Sequence, residues 1–178
     1  LCELIRNDSV EEFVSYVNRT NISLLSQIKL SIFETNSFLI NKEPSLIEYS
    51  AFYGSIQIFQ YLKLNKVELT PSLWIYAIHG KNADIIHILE ENHIEPEDKT
   101  YEKCFKEAVK CHHNDIAKYI YEFCVSKNDT YCFKYHNYEL FPNDLTNSTS
   151  IIYNLIAYNY SKLFDIYSNS QNLLVPLF

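Results

Sequence analysis

An all-α stack of repeated helical pairs is the fold this sequence predicts, on three observations. The stretch PSLIEYSAFYGSIQIFQYLKLN, starting at Pro44, returns 27 residues later as PSLWIYAIHGKNADIIHILEEN, starting at Pro71, with Pro, Ser, Leu, Tyr, Ile, Leu and Asn in register. Within each copy the apolar positions recur at the spacing of a helix face. Only two glycines, Gly54 and Gly80, occur in 178 residues, too few for the left-handed turns of a hairpin-rich β architecture. A chain that repeats itself at this period stacks small units, each covering the next.

The elements follow in chain order. Leu1, Leu4 and Ile5 lead through Asn7-Asp8 into Val10, Phe13, Val14 and Val17, and DSVEEFVSYVN reads as a degenerate counterpart of GSIQIFQYLKL. This gives a first unit near residues 1–20. Residues 22–42 are apolar but lack a small-residue patch, and one or two helices are expected there. In the unit near 44–66, Leu46, Ile47, Tyr49, Ser50 and Ala51 form a first helix that Gly54 ends. Ile56, Ile58, Phe59, Tyr61 and Leu62 form its partner. The unit near 71–94 repeats this with Trp74, Tyr76, Ala77 and Ile78, a Gly80-Lys81-Asn82 turn, then Ile85, Ile86, Ile88 and Leu89.

A further unit near 100–124 has Cys104, Phe105 and Ala108, the turn Cys111-His112-His113-Asn114, then Ile116, Ala117, Tyr119 and Ile120. Residues 125–148 read as a polar, aromatic inserted loop with one irregular helical turn. The last unit, near 149–168, has Ile151, Ile152, Leu155 and Ile156, then Asn159-Tyr160, then Leu163, Phe164, Ile166 and Tyr167. Thr70 and Glu43 read as N-caps that place Pro71 and Pro44 at first helical positions, where a missing N–H costs nothing. Asp98 and Thr100 are the candidate caps of the next unit. One helical pair cannot bury enough apolar area, at about 25 cal/mol per Å², to offset its ordering entropy. A core running through all the units is therefore expected.

The units resemble ankyrin repeats. Ile47 and Tyr49, Ser50-Ala51, Gly54, and Ile58-Phe59 with Leu62 match the apolar and small positions of that family's pattern. The chain as a whole resembles the degenerate ankyrin-type region that precedes more regular repeats in large protist ankyrin-repeat proteins. The resemblance implies a helical solenoid whose first helices line a concave, protein-binding face. Glu48, Ile75 and Lys106 stand where the family has a histidine that ties neighbouring turns. The 27-residue spacing is shorter than the usual ankyrin period of about 33. Short or absent β-hairpin fingers follow from that.

Charge and composition exclude several functions. The net charge is −7 with lysines and arginines scattered singly, so no basic stripe for nucleic acid exists. No apolar run reaches the roughly 20 residues of a membrane span. Cys2, Cys104, Cys111, Cys124 and Cys132 form an odd set without framework spacing, which fits reduced thiols in an intracellular, cytoplasmic protein. Six Asn-x-Ser/Thr sequons, at Asn7, Asn18, Asn21, Asn128, Asn147 and Asn159, point the other way. The absence of methionine, position 1 included, marks the chain as an excerpt or a processed product.

Candidate chemistry is thin. Cys104, Cys111, His112 and His113, with Cys124 and Cys132, are zinc-ligand types, but no compact pair of ligand pairs appears and no metal site is expected. His79, Asp84 and His87, or Cys111 with His112, would make a nucleophile–base set only if folding brought them into a pocket, and they read as surface groups. Catalytic residues, cofactors and small-molecule ligands are therefore not expected. The acidic run Glu90, Glu91, Glu95, Glu97 and Asp98 reads as a solvated face.

Fifteen tyrosines and eleven phenylalanines fill the core and supply interface anchors. Positions just after the small-residue patch give a partner-binding ladder of Phe52, Tyr53, His79, Lys110 and Tyr158. The expected function is a non-catalytic protein–protein interaction module displaying that concave surface. The alternative is a structural N-terminal cap of a longer array with no partner of its own.

Overall fold

A computed structural model describes residues 1–29, 34–124, 129–142, 149–163 and 165. The described residues are all-helical. They form α1 (Cys2–Arg6), α2 (Val10–Thr20), α3 (Leu46–Tyr53), α4 (Ile56–Leu64), α5 (Leu73–Gly80), α6 (Ala83–Glu91), α7 (Glu102–Lys110), α8 (Asn114–Tyr121), α9 (Thr130–Lys134) and α10 (Thr149–Ala157). A 3-10 turn covers Tyr138–Leu140. No strand forms among these residues, only an isolated antiparallel bridge between Gln27 and Ser45.

The helices pack in two rows. In the first, α1 lies on α3, α3 on α5, α5 on α7, α7 on α9, and α9 on α10. In the second, α2 lies on α4 and α4 on α6. Ser50, Ala51, Ala77 and Ala108 are fully buried between first-row helices, where their short side chains allow close approach. The closest approach joins two glycines. A Cβ on Gly80 would lie 2.1 Å from the Ala51 carbonyl oxygen, and one on Gly54 would lie 2.6 Å from the Gly80 oxygen. One core runs from Ile5 to Cys132, and a smaller cluster of Phe133, Ile151, Leu155 and Tyr160 follows it.

Every first-row helix ends in the same turn. One residue adopts the left-handed conformation: Asp8, Gly54, Lys81, His112, His136 and Asn159 in succession. At five of the six the next backbone N–H closes on the carbonyl five residues back, as in Ser55 to Ser50 and Tyr160 to Leu155. The side chain of that next residue then reaches across to the preceding turn. Ser55 Oγ donates to the Ile5 carbonyl, His113 Nδ1 to Ile78 at 2.7 Å, Asn137 Nδ2 to Val109 at 3.0 Å and Tyr160 Oη to Phe133 at 2.9 Å. Each acceptor lies three residues before its own turn's left-handed position. Asn82 Nδ2 makes the equivalent bond to Gly54 itself, at 3.0 Å. Ile5, Ile78, Val109 and Phe133 already accept the N–H of their own turn's left-handed residue, so each tie adds a second hydrogen bond to a helix-end carbonyl and joins two turns.

Three expectations change. Residues 22–42 form no helix in their described parts, 22–29 and 34–42. Asn36 Oδ1 captures the Phe38 N–H at 2.9 Å, a local bond that competes with helix formation, and a single hydrogen-bonded turn over 36–42 results. The segment read as an inserted loop instead carries α9, the left-handed His136 and the Asn137 tie, so it continues the first row; 125–128 and 143–148 lie outside the described residues. The prolines precede the caps rather than opening the helices. Ser45 is the N-cap of α3 in a capping box with Glu48, and Ser72 precedes α5. Tyr101, not Asp98 or Thr100, is the N-cap of α7, although Asp98 accepts the Lys103 N–H at 3.0 Å from outside the helix. In the last unit, Phe164, Ile166 and Tyr167 lie outside the described residues.

Two stability outcomes follow. His113→Ala removes one tie and should cost about 1–2 kcal/mol in denaturant unfolding, whereas His113→Asn, the residue type used at Asn82 and Asn137, should retain most of it. Gly80→Ala drives a methyl into backbone atoms and should cost about 3 kcal/mol.

Candidate functional site

The ends of α3, α5 and α7 meet at an open hollow of about 560 Å³ lined by Phe52, Tyr53, His79, Lys110 and Cys111, among others. Four of the five residues expected to form a ladder are therefore neighbours. Tyr158 is not with them: it packs against the smaller cluster around Phe133 and Tyr160, beyond α9. Because α9 continues the row, Lys134 and Tyr135 occupy the positions that the sequence reading passed over between Lys110 and Tyr158.

The expected exposure of Phe52 does not hold. Its relative exposure is 7%, and Phe38 from the 36–42 turn stacks on it at 5.7 Å with the ring planes 7° apart. The Phe38 ring also lies 4.2 Å from the His79 ring and edge-on to Tyr76. Lys42 places its ammonium 3.3 Å from the centre of the Phe38 ring. The 34–42 segment thus forms a strap across α3 and α5. It covers Phe52 and one side of His79, and leaves Tyr53 half-buried and Lys110 exposed.

Around His79 the side chains form a connected set. His79 Nε2 lies 3.0 Å from Glu107 Oε1, and the Cys111 sulfur lies 3.5 Å from His79 Nδ1. A carboxylate only accepts, so Nε2 carries a proton, and in the neutral ring Nδ1 presents its lone pair to the thiol. Lys110 Nζ donates to the same Glu107 oxygen at 2.9 Å. Burial disfavours the Glu107 carboxylate, but the His79 and Lys110 hydrogen bonds outweigh it and hold its pKa at about 2. Burial, then the Glu107 charge, pushes the Cys111 thiol up to about 11.

His79, Glu107 and Cys111 are ligand types gathered within 4.8 Å. Opposite ring nitrogens of His79 face Glu107 and Cys111, however, so one ion held by all three would have to break the present hydrogen bonds. Of the zinc-ligand types considered from sequence, Cys111 alone belongs to this cluster; Cys104, Cys124 and Cys132 are buried in the core, and His113 is committed to the Ile78 carbonyl. His87 pairs instead with Glu90 at 3.1 Å. Sequence reasoning considered His79 and Cys111 in separate sets because they sit on different helices. Only the stacking offset unites them.

A second pocket, more enclosed and about 210 Å³, lies between the loops that open α3, α5 and α7, near Lys42, Glu48, Ser72, Tyr76 and Asp98. It is smaller than the roughly 300 Å³ at which ligand sites begin. Its Glu48 is already engaged by Ser45 and by Ser72 Oγ at 2.7 Å.

Residues 64–143, from the end of α4 to just past the 3-10 turn, match the family model described as Domain of unknown function (DUF3447). No curated protein and no solved structure matches the chain. Among the described residues, no helix is long and apolar enough to cross a membrane.

The Glu107 pairing has a pH signature. Its folded-state carboxyl is held below the ordinary value of 4.5, so its stabilisation is complete above that pH and lost as pH falls towards 2. Chemical unfolding from pH 6 to pH 2.5 should show Glu107→Gln weakening the acid destabilisation by about 2 kcal/mol relative to the unsubstituted chain.

Proposed function

We propose that this chain is a non-catalytic protein–protein interaction module, an ankyrin-like solenoid that presents the ends of its first-row helices as one preorganised surface. The observation that carries this reading is the repeated turn tie, which sets six helix ends side by side at a common register. A surface held rigid before binding loses little entropy when a partner docks. The contact residues are Tyr53 and Lys110 at the hollow, with Lys134 and Tyr135 beyond them. Phe52 supports this surface from beneath. Glu48 takes over the neighbour-tying role of the family's histidine by accepting from Ser72.

The charge distribution supports a protein partner over nucleic acid, since Lys110 is matched by Glu107 and no basic stripe forms. A second reading, a structural cap for a longer repeat array, is favoured by the strap, because Phe38 covers part of the face a partner would use.

One comparison separates the two. The intact chain and the double variant Tyr53→Ala with Lys134→Glu are used as baits, with thermal unfolding measured in parallel. The interaction reading expects specific partners to be lost from the variant while its melting temperature stays within about 3 °C, a surface-like change. An identical partner set for both baits would overturn it and leave the cap.

A further inference from the structure

Cys111 is one of five free cysteines, and it stands apart from the others. Cys104, Cys124 and Cys132 are buried in the core. Cys111 lines the open hollow, with its sulfur 3.5 Å from Nδ1 of His79, whose Nε2 is held by the Glu107 carboxylate. A thiol, a base in hydrogen-bond reach and a third group orienting that base are the signature of an activated nucleophile. The ring cannot easily turn away, because Phe38 and Phe52 lie 4.2 and 4.9 Å from it.

We propose that Cys111 is a nucleophilic thiol site that exchanges with low-molecular-weight disulfides, with His79 taking the thiol proton through Nδ1. Glu107 is a positioning residue that holds the ring and stabilises the imidazolium that forms. The proton passes from sulfur to Nδ1 as the thiolate attacks one sulfur of the disulfide. The S–S bond breaks, a mixed disulfide forms on Cys111, and the other sulfur leaves as a thiolate that takes the proton back from His79. A free thiol reverses the step by the same route. No oxyanion site is needed, so the open hollow suffices.

The surrounding charges bear on the sulfur from several sides. Lys110 favours the thiolate and Glu107 opposes it, while Lys42 faces Glu107, and Lys81, His79 and His112 face His113. Burial keeps the resting thiol protonated near neutrality, so reaction there depends on the adjacent base rather than on spontaneous ionisation. This separates Cys111 from Cys2, which is also partly exposed.

The test is reaction of the intact chain with glutathione disulfide, followed by intact mass and peptide mapping from pH 6.5 to pH 9. The first adduct should form on Cys111, and Cys111→Ser should abolish it. His79→Gln should slow the reaction about tenfold or more at pH 7, a typical scale for losing a positioned base. That deficit should narrow towards pH 9, where solvent base removes the proton directly. A first adduct on Cys2, or a His79→Gln rate within about twofold of the parent chain, would overturn the proposal. If His79→Gln melts below the assay temperature, Glu107→Gln decides. A loss of about threefold or more at pH 7 that narrows with rising pH supports the relay, and an unchanged rate overturns it.

Discussion

The bond from each turn to the one before it is the constraint on which the rest of the molecule depends. A helix end leaves carbonyls without donors, and burying them unpaired is costly. Here the turn's own left-handed N–H bonds four of these carbonyls, and the side chain just past the next left-handed residue donates to the carbonyl's second lone pair, so two helices are registered by one directional bond. Serine, asparagine, histidine and tyrosine all serve. The requirement is a donor of suitable reach, not a particular residue. This explains how the row stays in register while the chain between turns varies from the long stretch between Asp8 and Gly54 to the short one between His136 and Asn159.

Registration is also what assembles the hollow. His79 sits just before the left-handed Lys81, and Cys111 just before the left-handed His112. Once α5 and α7 are set by the His113 tie, the thiol meets the imidazole, and Glu107, one helical turn before Cys111, faces the other ring nitrogen. The strap adds a third wall through Phe38. Its aromatic ring is also held by the Lys42 ammonium, a cation–π contact. Stacking and local turn chemistry together thus create a shielded polar cluster in a chain with no recognisable catalytic motif.

Much of the fold was legible because its signals are local and periodic. The helices from α3 to α8 fall where the apolar spacing placed them, and the short turns at Asn7-Asp8, Gly54 and Asn159 are where the sequence marks them. Residues 22–42 misled because their apolar content serves the strap: Phe38 and Leu39 are spent on helices distant in sequence, while Asn36 diverts the backbone locally. α9 escaped because five residues are too few to show a period, although His136-Asn137 occupies the place of His112-His113 and Lys134 that of Lys110. The ladder was partly readable, since its members share a position in the repeat, but the burial of Phe52 depends on a segment with no repeat character. The Cys111–His79–Glu107 set could not be read, because its spacing belongs to neither helix alone.

The meeting of Gly54 and Gly80 gives the row an uneven stiffness. Where long side chains lie between two helices, their rotamers can absorb a small shift. Between α3 and α5 the main chains themselves touch, and main-chain atoms have no such freedom. Sliding α3 against α5 would have to open that main-chain contact, which ties the ends carrying Tyr53 and His79 to one another.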